Sequence, residues 1–334
     1  MRLRQGAITD VSSAPSHADL EQAAHWYACL RDGKANARQR AAWQTWMSAA
    51  DSHVQAWQYV EDISRAFEPV RTLPHPYEVA HQLHAVDDRL RARRRVLASA
   101  ALLASGGVIG ALCWRQAWLP DGMMALAADV RTATGEQRRM TLDDGTHLWL
   151  NTASAIDVRF SALERRIVLV SGEVFVETAK DTRPLLVQSR QGRMRALGTR
   201  FNVQLSESTT QLAVYDGAVE IRTASTDQAL IVDAGQQTSF TMHDIAQTDA
   251  ADMARQVWTQ GSLVANNLPL WQFVQELGRY RKGHLGVADS VADLVVYGSF
   301  PAHDTDRALQ MLASALPVRI AQPLPWWTSI EAQR

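Results

Sequence analysis

The chain has 334 residues, of which 46% are hydrophobic, and its formal net charge at pH 7 is −1. This length suffices for two or three domains, and the nearly neutral charge argues against a polyanion as the main partner. Only two cysteines occur, Cys29 and Cys113, which excludes disulfides and cysteine metal sites beyond position 113.

The N-terminal region has the residue spacing of three short helices. Apolar residues from Leu20 to Leu30 fall on one helical face, Asp32-Gly33 breaks the pattern, and Ser52 caps a further helix. We therefore predict a small all-α bundle over residues 1–68.

Four of the eleven tryptophans, Trp26, Trp43, Trp46 and Trp57, lie in this bundle. They either form its core or anchor a partner, because a bundle of this size can hardly bury four indoles and tryptophan is frequent at interfaces. We expect Trp26, Trp46 and Trp57 both to stabilise the bundle and to grip a protein. Residues 1–70 hold seven basic and eight acidic residues, which argues against direct binding of nucleic acid.

A linker and a juxtamembrane helix are predicted over residues 69–95, where the sequence PVRTLPHP ends the bundle. The uncharged residues 96–114 follow, and as a helix they would be about 28 Å long, close to the thickness of a bilayer's hydrocarbon core. A single transmembrane helix is therefore predicted. The alternatives are a buried helix in a soluble core and a cleaved export signal, although a signal belongs at the N-terminus.

Basic residues set the orientation of this predicted span. Arg91, Arg93, Arg94 and Arg95 precede it, whereas few basic residues follow it, so the positive-inside rule keeps the N-terminal side cytoplasmic. Residues beyond about 115 are expected on the outer side of the membrane.

In residues 125–245 the apolar residues no longer recur at helical spacing, as they do in the N-terminal region, but alternate with polar ones. Polar and apolar residues alternate over 156–160, 201–205 and 218–222, as in half-buried strands. Glycines at turns recur between these strands, at Gly145, Gly172, Gly198, Gly217 and Gly235. The pattern predicts an all-β domain, either solenoid-like or sandwich-like.

Residues 258–322 have the patterns of both helices and strands. Asn267 is predicted to cap a helix with Pro269 in its first turn, and two strands, a second helix and a last strand follow. The order of elements predicts a C-terminal α+β domain.

No phosphate-binding glycine loop and no histidine pair with zinc spacing occurs, so neither a cofactor nor a metal is expected, and the protein is not expected to be an enzyme. One bond is a candidate for self-cleavage. In a strained turn, the Thr199 hydroxyl could attack the carbonyl of Gly198. The alternative is that Gly198 supplies a positive φ and Thr199 starts a strand.

Several short motifs together resemble the FecR family of membrane-bound anti-sigma regulators. In the β region they are Glu164-Arg165, Gly172-Glu173 with Phe175, Arg183-Pro184, Gly198-Thr199 with Phe201 and Val203, and Gly217 with Val219; in the bundle they are Trp26, Trp46, His53 and Ala56-Trp57. The chain departs from the family at Leu185-Leu186, where phenylalanine is preferred. The C-terminal order of elements also resembles the short signalling domain of secretins and TonB-dependent receptors.

The resemblance implies a multidomain protein of the bacterial inner membrane, with its N-terminus cytoplasmic and its C-terminus periplasmic. Its bundle would bind an extracytoplasmic-function sigma factor, and its exported part would receive a signal from the periplasmic signalling domain of a TonB-dependent receptor. Envelope proteases would free the bundle, and the regulated genes would serve iron and siderophore uptake. The rival hypothesis is an envelope structural protein whose β domain binds cell-wall polymer, which predicts that deleting residues 1–85 leaves function intact.

Overall fold

The computed structural model describes residues 15–31, 35–71, 125 and 128–333. Three helices form its N-terminal part: α1 (His17–Arg31), α2 (Ala37–Met47) and α3 (Asp51–Arg71). We call them the head. The Asn36 side chain accepts a hydrogen bond from Gln39 N while the Gln39 side chain accepts one from Asn36 N, so a capping box starts α2. The three helices expected from the sequence are present.

The prediction of a membrane protein with one transmembrane helix is corrected by the structure. Within the described ranges, no helix is both long and apolar enough to cross a bilayer. Even α3, with 21 residues, includes the charged residues Asp51, Glu61, Asp62 and Arg65. The predicted span at 96–114 and the arginines before it, Arg91, Arg93, Arg94 and Arg95, lie outside the described residues. The inner-membrane location stays a prediction.

The β-rich region is a sandwich of two seven-stranded sheets. The first sheet has the order β1-β4-β5-β7-β8-β11-β12 and the second β14-β13-β10-β9-β6-β3-β2. Neighbouring strands are antiparallel except β5 and β7, which are parallel. The strands are β1 (Val130–Arg131), β2 (Arg138–Thr141), β3 (His147–Leu150), β4 (Ala155–Phe160), β5 (Arg165–Ser171), β6 (Glu173–Glu177), β7 (Leu185–Gln188), β8 (Gly192–Ala196), β9 (Arg200–Leu205), β10 (Thr210–Asp216), β11 (Ala218–Thr223), β12 (Ala229–Asp233), β13 (Gln236–Phe240) and β14 (Asp249–Ala250).

Alternation along the strands explains why the sheets face each other. Ile167 and Leu169 of β5 point into the same core as Phe201 and Val203 of β9. Burying one face of each sheet in this way is the usual solution for a sandwich. Gly172, at the turn before β6, has a φ of +81°, and a Cβ added there would lie 2.2 Å from Ser154 Oγ. Only glycine fits this turn.

The C-terminal part is an α+β unit with two small sheets, one of β15 and β17 and one ordered β16-β19-β18. Its elements are a 3₁₀ helix (Met253–Gln260), β15 (Ser262–Pro269), α4 (Leu270–Gly278), β16 (His284–Val287), β17 (Val295–Pro301), α5 (Thr305–Ala315), β18 (Val318–Leu324) and β19 (Trp327–Ala332). The expected cap at Asn267 is wrong. Asn267 has a φ of +60° beside an irregularity in β15, and α4 begins three residues later without a side-chain cap.

Two hydrophobic clusters join the parts of the chain. In the first, Phe175 and Tyr215 of the sandwich pack with Trp258 and Phe273 of the C-terminal unit. In the second, small residues of α1 and α3 pack against Trp326 and Trp327. Ser329 Oγ also donates a hydrogen bond to Glu21 Oε1 at 2.7 Å. The C-terminal unit therefore contacts both the sandwich and the head.

Candidate functional site

The tryptophans of the head are partly buried rather than free on its surface. Trp26, Trp43, Trp46 and Trp57 all have intermediate exposure. The Trp43 and Trp57 rings lie 5.0 Å apart, and Trp57 is 5.7 Å from the Tyr27 ring. The fully buried residues of the head are small, and half-buried aromatic rings pack around them. Trp57 lies beside Trp43 and Tyr27, and Trp46 packs with Tyr27 against the buried residues of the head.

Trp46 forms a second aromatic group with His53. The two rings stack with centroids 4.5 Å apart and an interplanar angle of 10°. His53 Nδ1 lies 2.7 Å from Trp46 O, and His53 Nε2 lies 3.3 Å from Asp19 Oδ1 of α1. Stacking and hydrogen bonding thus hold α2 against α1 and α3, and Trp46, of intermediate exposure, also packs against the buried residues of the head. That Trp26, Trp46 and Trp57 grip a partner stays a prediction.

The Gly198-Thr199 bond lies in a tight connection between β8 and β9. Gly198 has a φ of +79°, and the Thr199 amide donates to Thr178 Oγ1 at 2.7 Å. Gly217 lies against this bond, since a Cβ added to it would be 2.3 Å from the Gly198 carbonyl oxygen. Thr199 is 3% exposed.

The Thr199 hydroxyl has no hydrogen-bond partner among the residues that the structure describes. A hydroxyl that attacks a carbonyl needs a base to accept its proton, and no such base is bonded to it in this arrangement. The positive φ of Gly198 and the strand start at Arg200 agree with a structural role for the turn. Self-cleavage stays a hypothesis.

A buried polar cluster joins the sandwich to the C-terminal unit. Glu173, at the start of β6, accepts hydrogen bonds from Asn151 Nδ2 and Asn202 Nδ2, both at 2.8 Å. Arg279, just after α4, donates to Glu173 Oε2 at 2.7 Å and to Glu276 Oε1 at 2.5 Å. We call Glu173 and Arg279 the interdomain ion pair.

Electrostatics favour the charged form of this pair. Burial by itself raises the pKa of Glu173, but the charges of Arg279 and Arg255 and the two asparagine hydrogen bonds outweigh it and hold the pKa below its usual value. Burial likewise opposes the charge on Arg279, and the nearby carboxylates overcome it and raise the pKa of Arg279. The pair is therefore ionised at neutral pH.

The pair borders a cavity of about 520 Å³ between the sandwich and the C-terminal unit. Arg255 lines the cavity, and its guanidinium donates to Gln204 Oε1 at 2.7 Å and Gln211 Oε1 at 3.0 Å. The sequence did not reveal this cluster, because Glu173 and Arg279 are 106 positions apart. A carboxylate directly after the turn glycine Gly172, before the apolar residues Val174, Phe175 and Val176, was the only signal.

Metal binding finds no support in the described ranges, where no group of three or more histidine, cysteine, aspartate or glutamate side chains could hold an ion.

The chain is a multidomain protein with a helical head, a β sandwich and an α+β unit. Comparisons with known proteins find matches for the head and the sandwich. The FecR protein family model matches residues 128–220, and the model of a domain of unknown function, DUF4880, matches residues 21–63. The resemblance to the FecR family is confirmed by the match over residues 128–220, which covers most of the sandwich.

Two crystal structures from Parabacteroides distasonis, both named "putative anti-sigma factor", share the fold. Each is 21% identical to this chain with a TM-score of 0.51. The first, at 2.50 Å resolution, matches 61% of this chain over 98% of its own length, and the second, at 1.65 Å, matches 60% over 97%. No curated protein matches the chain.

Proposed function

We propose that this protein is an anti-sigma regulator whose head binds an extracytoplasmic-function sigma factor. The observation that carries the proposal is the order of the two family matches, a DUF4880 match over the head and a FecR match over the sandwich. The shared fold of the two structures named for an anti-sigma factor supports the same role. Regulation by binding needs no catalytic centre.

The head offers the sigma factor an aromatic surface. Trp46 stacks on His53 and is of intermediate exposure, so part of its indole remains accessible. Trp26 and Trp57 are also half-buried, so part of each indole remains accessible. Indoles that packing already holds in place lose little conformational entropy on binding, which makes them effective anchors.

The test is a binding titration between the full chain and each extracytoplasmic-function sigma factor of the source bacterium. We expect Trp46→Ala to weaken binding by about ten-fold or more, as loss of an interface anchor does. Trp46→Phe should restore most of the affinity, because phenylalanine can still stack on His53.

Gln44→Ala, an exposed change on the same helix, is the matched control and should leave affinity unchanged. Circular dichroism must show that all variants keep their helices. Equal affinity of folded Trp46→Ala and wild type would remove Trp46 from the interface, and no binding of any sigma factor would contradict the function itself.

We further infer that the C-terminal unit receives the signal from the signalling domain of a TonB-dependent receptor, and that the regulated genes serve iron and siderophore uptake. The resemblance of the chain to the FecR family is what supports this. Envelope proteases would then release the head. We expect the full chain to bind the purified signalling domain and to lose this binding when residues 258–322 are deleted. Binding that survives the deletion would contradict the inference.

A further inference from the structure

In the two-stranded sheet of the C-terminal unit each strand has one neighbour, and the outer edge of β15 borders the cavity beside the sandwich, whereas that of β17 does not. In the part of the chain that the structure describes, β17 pairs only with β15. Ala302 N donates to Gly261 O, and Leu270 N donates to Leu294 O, at the two ends of this pairing. Since alternate residues of an antiparallel strand bond to the same neighbour, Val296, Gly298 and Phe300 face β15.

The intervening residues therefore direct their backbone groups away from the sheet. Val295, Tyr297 and Ser299 present amide and carbonyl groups along the open edge, and their side chains are exposed, Val295 by 44% and Tyr297 by 64%. A two-stranded sheet is marginal by itself, and a third strand would complete the ladder. The edge thus has both unpaired backbone groups and apolar side chains for a partner strand.

Four of the other edge strands of the described sheets carry features that discourage pairing, whereas β12, β15 and β16 are edges without them. β1 and β14 have two residues each, β2 contains two arginines, and β18 contains Arg319 and Pro323. Natural proteins protect free edges in these ways. β17 is seven residues long, has no charged residue, and has its only proline at the last position. Its edge is left open to pairing.

Charge around β17 indicates the kind of strand that fits. Asp289 and Asp293 precede it and Asp304 and Asp306 follow it, with no lysine or arginine anywhere from 289 to 306. Arg281 pairs with Asp306 at 3.3 Å, whereas no ion pair within the described residues neutralises Asp289 or Asp293. The negative charge is therefore least compensated at the start of β17.

We propose that the open edge of β17 binds an extended segment of another protein, with apolar residues at alternate positions and with lysine or arginine at the end that lies beside Asp289 and Asp293. The segment adds as a third strand, with backbone hydrogen bonds to Val295, Tyr297 and Ser299. A second copy of this chain fits poorly, because antiparallel self-pairing would place Asp293 near Asp304 of the copy. The proposal is independent of sigma-factor binding by the head.

The test uses the full chain and two synthetic peptides, Thr-Val-Thr-Val-Thr-Lys-Lys and the same sequence ending in Glu-Glu. Fluorescence anisotropy should show that the lysine peptide binds about ten-fold or more tightly than the glutamate peptide at low salt. Asp293→Lys should reduce or reverse this preference. Comparable binding of both peptides, or of neither at millimolar concentration, would overturn the proposal.

A backbone variant then identifies the edge. Ser299→Pro removes an outward amide, while the inward amides that pair with β15 remain. The variant should lower the affinity for the lysine peptide by about ten-fold or more. Ser299→Ala keeps the amide and serves as the matched control. Amide exchange at Val296 and Phe300 checks that the strand itself is intact.

A second measurement leaves the protein unchanged. Two versions of the lysine peptide carry N-methyl groups at alternate residues, so that each version lacks amide donors along one of its two edges. The version that lacks donors on the edge facing β17 should not bind. Unaltered binding of both methylated peptides would rule out strand pairing. Sedimentation of the free chain tests whether two copies pair with each other through β17. A dimer in the wild type that Ser299→Pro abolishes would mean that the partner strand comes from a second copy, and it would overturn the proposal.

Discussion

The sandwich and the head are stabilised in different ways. The sandwich buries aliphatic side chains and Phe201 from two facing sheets in one continuous core. In the head, by contrast, the fully buried residues are Ala23, Ala24, Ala56 and Val60, and half-buried aromatic rings surround them. The sandwich therefore has a core of its own, whereas the head depends on rings that remain partly accessible and on contacts from Trp326 and Trp327.

The largest effect is expected in the sandwich core. Phe201→Ala should lower the free energy of unfolding by about 3–5 kcal/mol, since it removes a fully buried ring and leaves a cavity. Leu163→Ala is the control, because Leu163 is 83% exposed and its loss should change little. Urea denaturation followed by tryptophan fluorescence measures both, and a loss below about 1 kcal/mol at Phe201 would contradict the self-sufficient core.

A somewhat smaller effect is expected where the sandwich meets the C-terminal unit. Arg279→Met leaves Glu173 buried without its cation and should destabilise this contact by about 3 kcal/mol at neutral pH. The pKa of Glu173 is lowered in the folded chain, so its contribution is present above the usual glutamate pKa, about 4.3, and is lost as the pH falls toward the lower folded pKa.

The difference between wild type and Arg279→Met should therefore shrink as the pH falls below about 4.3. Arg281→Met, which removes the ion pair with the largely exposed Asp306, is the matched control and should show little dependence on this pH range. A difference between wild type and Arg279→Met that stays constant from pH 7 to pH 3 would show that the ion pair does not control this contact.

The smallest effect is expected in the head. Asn36→Ala removes the side chain that caps α2 and should cost about 1 kcal/mol. Because the head has few buried residues, we expect this loss to appear as a lower helical signal on heating while the sandwich still melts as in wild type. One cooperative transition shifted as a whole would instead mean that the head and the sandwich unfold together.

Local patterns were enough to predict much of the fold. Alternation around Phe201 and Val203 predicted strands that the structure contains, and the turn glycines Gly172 and Gly217 have the positive φ that such turns require. The cap predicted at Asn267 failed because pairing of β15 with β17 overrides the local signal, and Tyr297 donates a hydrogen bond to the Asn267 side chain instead. Short-range preferences decide an element only where no long-range contact competes.

The candidate sites likewise include features set by local sequence and features set by long-range contacts. A tryptophan-rich helical head before a β-rich domain follows from the sequence alone, since periodicity and composition are local properties of the chain. The contact of Glu173 with Arg279 and the outer edge of β17 without a partner strand follow only from the tertiary structure. Both depend on which distant segments pack together, and that choice comes from the burial of the whole chain rather than from any one stretch of it.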